Sequence, residues 1–476
     1  MIFARFLSIN ITPLNLFTYT FLDNKIMLYF INGVTGLQKR IVIEGGKELY
    51  GEVSISGAKN AVLKLIAAAL LVKDVCTIHN VPDLSDVETM VDLINCLGAK
   101  TKYNKTTQTI EIDATDINNC TADYAYVSKM RASFNVLGAL LSRCGEAKVA
   151  LPGGCAIGER RVDFHIKGMQ LLGAEVNIEN GYVIAKSSHL EGADISLATP
   201  SVGATENIML ASIFAQGVTR IQNAAQEPEI VDLANFLNMT GADISGAGTS
   251  EIVINGVEKG SLKGIEYSTI PDRIEAASYI CAVCATGGEI IVKDIIPAHL
   301  TFFINKMQEI GVSFSVINPY TIKVTKNAKL KSADLVTQPY PGFHTDMQAP
   351  VMSVLALADG ISIITESLFE NRFMQVPELR RMGADIQQEN SRAIIKGVEF
   401  LTGAEVKASD LRAGASLVIA ALAAQGTSSI SNIHHIDRGY EKLEEKFSLL
   451  GANIKRVEIN ENLSDNQVVN PKVMIL

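Results

Sequence analysis

The sequence has few cysteines, no surplus of basic residues and no cysteine framework. Its seven cysteines, in 476 residues, lie mostly in apolar runs without regular spacing, which predicts a reducing, cytoplasmic location and no disulfides. Cys281 and Cys284 share one alanine-rich helical stretch, so we expect buried thiols there and not a redox or zinc motif. The net charge of −9 and the absence of interleaved aromatic and basic residues argue against nucleic-acid binding.

Long hydrophobic runs are also missing. Residues 1–38 are apolar and aromatic, but polar residues interrupt them before the roughly 20 apolar residues that a spanning helix needs. They also lack the compact apolar region and cleavage site of a signal peptide. We therefore expect no stable membrane insertion. Residues 1–38 are interpreted as an extension of unknown role, the folded region begins near Arg40, and 458–476 forms a tail.

What the sequence does contain is internal repetition. Each of six glycines ends an amphipathic segment of helical spacing and precedes short β-prone runs, which predicts a helix that ends at a left-handed glycine. The intervals between them are all about 70 residues, and the six are Gly98, Gly173, Gly241, Gly311, Gly383 and Gly451.

A second series runs in step with the first. Six segments are small and apolar on nearly every face, which predicts buried helices, each followed by a strand. They begin near Gly57, Arg131, Val202, Pro271, Thr345 and Arg412. The predicted unit is a strand, a buried helix, a strand, an outer helix and two strands. Six such units exceed a single core, so we expect an α/β protein of two domains with three units each.

Polar residues of the repeats concentrate where the buried helices begin. Unpaired N–H groups and the positive end of the helix dipole make such ends suitable for anions. Ser201, Asp272 and Asp410 have an equally simple explanation as N-caps. Cations oppose the dipole, so capping does not explain Lys59, Arg131 or Arg412, and these three predict a bound polyanion in a cleft between the domains. Asn60, Ser201 to Gly203, Arg273 and Asp346 lie at the same helix ends.

The stretch ALPGGCAIGERR at 150–161 places a cysteine in a proline-glycine turn close to two arginines. Cysteine is usually a buried, small hydrophobic residue. A thiol in a loop near cations therefore suggests that Cys155 takes part in chemistry, with Arg160 and Arg161 lowering its pKa.

Ten motifs in order resemble the UDP-N-acetylglucosamine 1-carboxyvinyltransferases, a family of enolpyruvyl transferases, over about residues 41–456. They are SGAKNA (56–61), KMRAS (129–133), PGGCAIGERRVD (152–163), SVGAT (201–205), EPEIVD (227–232), PDRIE (271–275), TDMQAP (345–350), FENRFMQVPELRRMGAD (369–385), DLRAGAS (410–416) and HIDRGYE (435–441). The resemblance implies a two-domain inside-out α/β barrel built from the six repeats. The first domain would span 60–268, and the second would combine 41–59 with 269–457.

The resemblance also implies a reaction. The enolpyruvyl group of phosphoenolpyruvate would move to the 3′-hydroxyl of UDP-N-acetylglucosamine through a tetrahedral intermediate, with release of phosphate, as the first committed step of peptidoglycan precursor synthesis. Such chemistry needs an acid and a base on opposite sides of the reacting carbon. Cys155 would be the acid and could form a covalent adduct, and Asp346 would be the base or would only orient the hydroxyl.

The remaining site residues follow from the same resemblance. Lys59 and Arg438 complete the catalytic set with Cys155 and Asp346. Phosphoenolpyruvate would be held by Lys59, Asn60, Arg160, Arg372, Arg412 and Arg438. The nucleotide sugar would be held by Arg131, Arg160, Arg161, Val162, Asp163, Phe164, Ser201, Val202, Gly203, Asp346 and Leu368. No metal or other cofactor is implied, and His434 with His435 is interpreted as a hydrogen-bonding pair in a loop.

Three positions depart from the family pattern. Thr199 replaces a lysine that some members carry near the diphosphate, Asn135 replaces an aromatic residue on the uridine side, and Arg161 replaces a common proline. Two alternatives stay open. A shikimate 3-phosphate enolpyruvyl transferase would share the architecture but lack the PGGC loop. A non-catalytic nucleotide-sugar-binding paralogue would need the arginines but not the acid and the base.

Overall fold

A computed structural model describes residues 17–22, 25–30, 38–153, 158, 162–326 and 329–459. The chain divides into two units, one made of 1–39 with 457–476 and the other of Arg40–Arg456. In the first unit, strands β1 (Phe17–Leu22) and β2 (Lys25–Phe30) form an antiparallel hairpin. A strand continues to Ile459, two residues into the expected tail, and 460–476 lie outside the described residues.

Two sets of helices recur in the second unit. The buried helices are α1 (Lys59–Ala69), α4 (Val136–Cys144), α6 (Val202–Ser212), α8 (Arg273–Thr286), α10 (Gln348–Leu355) and α12 (Leu411–Ala423). The outer helices are α2 (Ser85–Cys96), α5 (Asp163–Leu171), α7 (Pro228–Thr240), α9 (Thr301–Ile310), α11 (Val376–Arg381) and α13 (Leu443–Leu449), and α3 (Tyr124–Val127) is a short addition. Their alternation confirms the order predicted from the repeats.

Short 3₁₀ helices precede some of these elements. They are Arg131–Asn135, Pro297–Leu300, Thr345–Met347 and Ile433–Arg438. Two of the predicted buried helices therefore begin as 3₁₀ turns, at Arg131 and Thr345. The predicted glycine ends are confirmed, because all six repeat glycines have φ between +88° and +114°, a conformation that glycine adopts without a Cβ clash.

Six four-stranded sheets accompany the helices, each described strand by strand from one edge to the other. The first three sheets are β16 (Glu266–Ser268), β5 (Val75–His79), β7 (Thr109–Asp113), β6 (Lys100–Asn104); β10 (Glu175–Glu179), β11 (Tyr182–Lys186), β9 (Glu146–Ala150), β8 (Thr121–Ala122); and β12 (Asp194–Ser196), β13 (Val218–Gln222), β15 (Glu251–Asn255), β14 (Asp243–Ser245). The other three are β18 (Ser313–Asn318), β19 (Thr321–Lys326), β17 (Gly288–Lys293), β4 (Leu49–Ser54); β20 (Leu335–Val336), β21 (Ile361–Thr365), β23 (Arg392–Lys396), β22 (Asp385–Glu389); and β24 (Glu405–Lys407), β25 (Thr427–Ser431), β3 (Gln38–Glu44), β26 (Asn453–Ile459).

Buried helices pack against sheets, as α4 does against β9 and α8 against β17 and β19. Strands such as β13 and β23 alternate exposed and buried residues, as expected for a sheet with one solvated face. The buried helices therefore lie inside and the sheets outside. Two strands are exchanged between sheets. The strand β4, which precedes α1, pairs in parallel with β17, which follows α8, and β16, which precedes α8, pairs in parallel with β5, which follows α1. Within the described ranges, no helix combines the length and apolarity needed to cross a bilayer.

Buried apolar side chains form two clusters. One contains residues from 62 to 262, and the other contains residues 41–55 together with 274–454. We call the parts that surround them the first half and the second half. The exchanged strands follow this division, since β4 belongs to the second half and β16 to the first.

Candidate functional site

A buried ion triad joins the two halves at the start of α1. Lys59, the first residue of α1, places its Nζ 2.7 Å from Oδ2 of Asp86 in the first turn of α2. Arg438 of the second half donates to the same carboxylate through Nε at 2.9 Å and Nη2 at 3.3 Å. The side chains of Lys59 and Asp86 are only 10% and 5% exposed. One buried carboxylate therefore holds two cations, a buried Lys59 and an Arg438 whose side chain is 35% exposed.

The charges of this triad shift its pKa values. Burial alone would raise the pKa of Asp86, but Lys59 and Arg438 outweigh burial and lower it. Burial lowers the pKa of Lys59, Asp86 opposes this effect, and the positive charges of Arg438 and Arg412 add to it. Arg412 is thus close enough to Lys59 to act on it electrostatically, although it lies in the second half. The cluster has more positive than negative charge and suits an anion.

A second charged group surrounds Asp346 in the second half. Arg372 Nη2 lies 2.5 Å from Oδ1 of Asp346, and Arg412 Nη2 lies 3.2 Å from Oδ2. Arg412 also donates from Nη1 to the hydroxyl of Tyr440 at 3.3 Å. Burial opposes the charge of Arg412, but Asp346 and Tyr440 more than compensate and raise its pKa. Both oxygens of Asp346 are therefore held in a defined orientation.

The helix end beside Asp346 is fixed by a histidine. The Asp346 N–H donates to His344 Nδ1 at 3.2 Å, so this imidazole nitrogen must be an unprotonated acceptor. Burial and the charge of Arg273 lower the pKa of His344 to about 4, which keeps the ring neutral at pH 7. Arg273 itself pairs with Glu229 of the first half at 3.1 Å, so that helix start carries no free positive charge.

Several of the residues expected to bind the nucleotide sugar adjoin one another in the first half. Val162, Asp163 and Phe164 begin α5, and Ser201 to Gly203 begin α6. A Cβ on Gly203 would lie 3.3 Å from the ring of His165, so the two helix starts touch. Burial, with Arg131 as the next cause, lowers the pKa of His165 to about 3, which places Arg131 beside the same ring. Phe164 lines a cavity of about 140 Å³.

The simple capping explanation holds at three of the helix starts. Ser201 Oγ accepts from the Ala204 N–H at 3.4 Å. Asp272 accepts from Ile274 N–H, and Asp410 accepts from Arg412 N–H, both at 2.8 Å. These are the N-cap bonds expected of Ser and Asp. They leave the cations Lys59, Arg131 and Arg412 as the unusual residues of these helix ends.

The cysteine loop is described only in part. Cys155, Arg160 and Arg161 lie outside the described residues. Gly158 is described and has φ of +140°, and a Cβ there would lie 2.3 Å from Oε2 of Glu370. Glu370 belongs to the second half and follows Leu368, which is 36% exposed. Gly158 of the first half therefore contacts the second half next to an expected substrate-binding residue.

Two sequence interpretations change with the structure. Asn135 is buried and donates to Glu206 Oε2 at 2.6 Å, so its side chain faces the interior and not a uridine. His434 and His435 lie in a 3₁₀ helix and not in a loop, with their ring centroids 4.1 Å apart and the ring planes tilted by 39°. Thr199 is exposed.

The sequence analysis missed two residues of the site, Asp86 and Tyr440. Tyr440 lies in the quoted HIDRGYE motif, whereas Asp86 resembles any acidic residue in the first turn of a helix. Asn60 is half-buried as the second residue of α1. Among the described residues, no group of three or more His, Cys, Asp or Glu side chains is arranged to hold a metal ion.

Comparison with known proteins gives consistent results. The family model described as EPSP synthase (3-phosphoshikimate 1-carboxyvinyltransferase) matches residues 43–447. UDP-N-acetylglucosamine 1-carboxyvinyltransferase 1 of Caldanaerobacter subterraneus is 51% identical over 421 residues, which cover 88% of this chain and 100% of the relative. UDP-N-acetylglucosamine 1-carboxyvinyltransferase 2 of Clostridium acetobutylicum is also 51% identical, over 422 residues, 88% of this chain and 100% of its own.

Solved structures share the fold. The enolpyruvyl transferase NikO from Streptomyces tendae superposes with a TM-score of 0.81 at 26% identity, over 89% of this chain and 100% of its own. EPSP synthase from Acinetobacter baumannii gives a TM-score of 0.68 at 19% identity, over 88% of this chain and 100% of its own. The two-domain inside-out α/β architecture predicted from the sequence is thereby confirmed.

Proposed function

Because the chain belongs to the UDP-N-acetylglucosamine 1-carboxyvinyltransferase family, we propose that it transfers the enolpyruvyl group of phosphoenolpyruvate to the 3′-hydroxyl of UDP-N-acetylglucosamine and releases phosphate. The observation that carries this proposal is 51% identity along the full length of a relative with that name. The product enters peptidoglycan precursor synthesis, and the proposed location is the cytoplasm.

The charges of the cleft support a substrate with two anionic groups. Four cations, Lys59, Arg372, Arg412 and Arg438, surround two carboxylates, Asp86 and Asp346. Phosphoenolpyruvate carries a phosphate and a carboxylate, and guanidinium groups bind both in a bidentate manner. We assign these four cations to the binding of phosphoenolpyruvate and to the stabilisation of charge in the tetrahedral intermediate, together with Asn60 and Arg160.

We assign Asp346 to the acceptor hydroxyl. Arg372 and Arg412 fix the carboxylate from two sides, while its side chain is still 18% exposed. In the proposed reaction the 3′-oxygen attacks C2 of phosphoenolpyruvate. Its proton passes to Asp346 or, where Asp346 only orients the hydroxyl, to another base. A proton from Cys155 adds to C3. Loss of phosphate and of a C3 proton then restores the double bond in the product.

The division into halves supports a two-domain arrangement. We propose that the first domain comprises 60–268 and that the second combines 41–59 with 269–457, since the two apolar clusters and the exchanged strands follow this boundary. The nucleotide sugar would then lie against Arg131, Arg161, Val162 to Phe164 and Ser201 to Gly203 of the first domain. Leu368 of the second domain would complete its site.

Phosphate release tests this assignment. Purified protein would be given phosphoenolpyruvate with UDP-N-acetylglucosamine and, separately, with shikimate 3-phosphate. We expect release only with the nucleotide sugar, and a loss of about 100-fold or more in Cys155→Ser because a general acid contributes at least that much. Cys96→Ser, which changes an exposed thiol, is the matched control. Release with shikimate 3-phosphate would refute the acceptor, and release with neither would favour a non-catalytic nucleotide-sugar-binding protein.

A further inference from the structure

Two consecutive residues of α6, Glu206 and Asn207, are completely buried polar side chains that the proposed reaction does not use. They lie about one helical turn after Ser201 to Gly203, which begin α6. A buried polar group is costly unless it has hydrogen-bond partners. The partners of these two side chains therefore show which parts of the fold they hold.

The amide of Asn207 connects α6 with three other segments of the first half. Its Nδ2 donates to the Phe134 carbonyl at 3.1 Å and lies 2.9 Å from Nδ1 of His165. Its Oδ1 accepts from the Gly138 N–H at 2.6 Å. Phe134 belongs to the 3₁₀ helix that begins at Arg131, Gly138 to α4 and His165 to α5. One side chain is thus bonded to all three segments.

These hydrogen bonds determine which nitrogen of His165 carries its proton. The Phe134 carbonyl can only accept and the Gly138 N–H can only donate, so the orientation of the Asn207 amide is fixed. The second hydrogen of Nδ2 then points to Nδ1 of His165, which must be an unprotonated acceptor. Burial lowers the pKa of His165 to about 3, so the ring is neutral at pH 7. Its single proton therefore lies on Nε2.

The protonated nitrogen lies next to the start of α6. A Cβ on Gly203 would be 3.5 Å from Nε2 of His165 and 3.3 Å from Cε1. The His165 residue is only 4% exposed, and no side chain or carbonyl of the described residues accepts from its Nε2. Unpaired backbone N–H groups make a helix start suitable for an anionic group. The imidazole adds one further donor there.

Glu206 holds the same 3₁₀ helix from the neighbouring position of α6. Its Oε2 accepts from Nδ2 of Asn135 at 2.6 Å and lies 2.7 Å from Nζ of Lys64 on α1. Asn135 and Phe134 are the last two residues of the 3₁₀ helix that Arg131 begins. Two adjacent contacts from α6 therefore fix the helix that presents Arg131.

We propose that Asn207 is a positioning residue of the nucleotide-sugar site. It orients the ring of His165 toward the start of α6 and, together with Glu206, places Arg131 relative to the starts of α5 and α6. Asn207 acts through these residues, since it is itself completely buried. The inference rests on the proposed function, which assigns Arg131 and these two helix starts to the nucleotide sugar.

The affinity for UDP-N-acetylglucosamine tests this role in Asn207→Ala. Titration calorimetry should show a Kd about tenfold higher than that of wild type, because the buried partners of the amide lose their hydrogen bonds. In steady-state assays, KM for the nucleotide sugar should rise by a similar factor. KM for phosphoenolpyruvate should change by less than about twofold, a difference between substrates that a general loss of stability would not produce.

Asn238→Ala is the matched control. The Asn238 side chain also makes two hydrogen bonds in the first half, donating to the carbonyl of Ile244 and accepting from its N–H, both at 2.8 Å. These bonds join α7 to β14, outside the segments that Asn207 holds. Melting temperatures measured in parallel report the structural cost of each variant. A Kd near that of wild type in Asn207→Ala, or equal increases in both variants, would overturn the proposal.

Asn207→Asp provides a second test if the alanine variant does not fold. It keeps the size of the side chain and the acceptor for the Gly138 N–H. An ionised carboxyl has no hydrogen, and a protonated one has a single hydrogen, for the two acceptors Phe134 O and His165 Nδ1. This variant should also raise the Kd for UDP-N-acetylglucosamine about tenfold, and an unchanged Kd would contradict the proposal.

The tautomer of His165 can be measured without substrate. NMR spectra of wild type with isotope-labelled histidine nitrogens would be recorded at pH 7, and the His165 signals are those that disappear in His165→Gln. We expect an unprotonated Nδ1 and a protonated Nε2, and a proton on Nδ1 would overturn the inference. Failure of the wild-type protein to bind UDP-N-acetylglucosamine is a different result, because it would refute the proposed function itself and, with it, the role of Asn207 in that site.

Discussion

Replacing Asp86 by asparagine should destabilise the protein more than an ordinary surface substitution. The change preserves the side-chain shape but leaves Lys59 and Arg438 facing each other without their carboxylate. At 2.7 Å and an effective dielectric constant of about 20, one such charge pair is worth about 6 kcal/mol before desolvation. Desolvation of the carboxylate on folding offsets several kcal/mol of this attraction. Removal of one partner of a buried ion pair typically costs about 3–5 kcal/mol of stability.

The size of the loss should depend on pH in a defined direction. The pKa of Asp86 is lowered in the folded state, so its stabilisation is present above its unfolded pKa of about 4 and is lost as pH falls through the folded pKa. For a folded body of this size, about 3–5 kcal/mol corresponds to a decrease in Tm of roughly 3–6 °C. We expect this decrease at pH 7 and a smaller difference from wild type at the lowest pH that still permits folding.

Differential scanning calorimetry of wild type, Asp86→Asn and Glu88→Gln measures these shifts. Glu88 lies in the same helix but is exposed, and its ion pair with Lys105 is at the surface. Surface pairs contribute about 0–1 kcal/mol, so the control should change Tm by about 1 °C or less. Equal shifts for the two variants, or a shift for Asp86→Asn that does not diminish toward acid pH, would refute the electrostatic explanation.

Two further substitutions test other parts of the structure. Gly158→Ala should lower kcat/KM about tenfold or more, because the new Cβ would displace Glu370 Oε2, which lies 2.3 Å from it, and because φ of +140° strains an alanine backbone by about 1–3 kcal/mol. Gly181→Ala, with positive φ but open space, should leave steady-state kinetics near wild type, and equal losses would contradict this reasoning. Burial raises the pKa of Asp232 to about 7 even though Tyr267 donates to it at 2.6 Å. The contribution of Asp232 to wild-type stability is therefore lost as pH rises from about 4 to 7. In urea titrations, the stability of Asp232→Asn minus that of wild type should be about 2–4 kcal/mol larger at pH 8 than at pH 4. A pH-independent difference would disprove the raised pKa.

Local patterns were sufficient to predict the helices of this fold. A glycine such as Gly241 ends a helix because its own backbone adopts positive φ, with a value of +114°, and a fully apolar segment such as α8 must be buried whatever surrounds it. Both properties depend on a few adjacent residues. Strand pairing is different, because β4 and β17 are distant in sequence, and no periodicity within either strand specifies its partner.

The candidate site was predictable where a residue violated a local preference. Lys59 and Arg412 indicate an anion site because cations are unfavourable at helix starts. Asp86 was missed because an acid in the first turn of an amphipathic helix is favourable by itself. Asn135 was assigned to a ligand surface, but its hydrogen bond to Glu206 satisfies a buried carboxylate that sequence alone did not reveal. A residue whose role is to bind a side chain distant in sequence is not indicated by the pattern of its neighbouring residues.

The missed carboxylate changes how the cleft can work. Arg438 reaches from the second half to Asp86 in the first, and Arg273 of the second half reaches Glu229 in the same manner, so charged pairs hold the halves together without substrate. A bound phosphate would compete with Asp86 for Lys59 and Arg438. The phosphate and Asp86 are both negative. A phosphate that displaces Asp86 would therefore leave neither Lys59 nor Arg438 without a negative partner. With Arg438 in its proposed role of binding phosphoenolpyruvate, substrate binding and the contact between the halves would be thermodynamically linked.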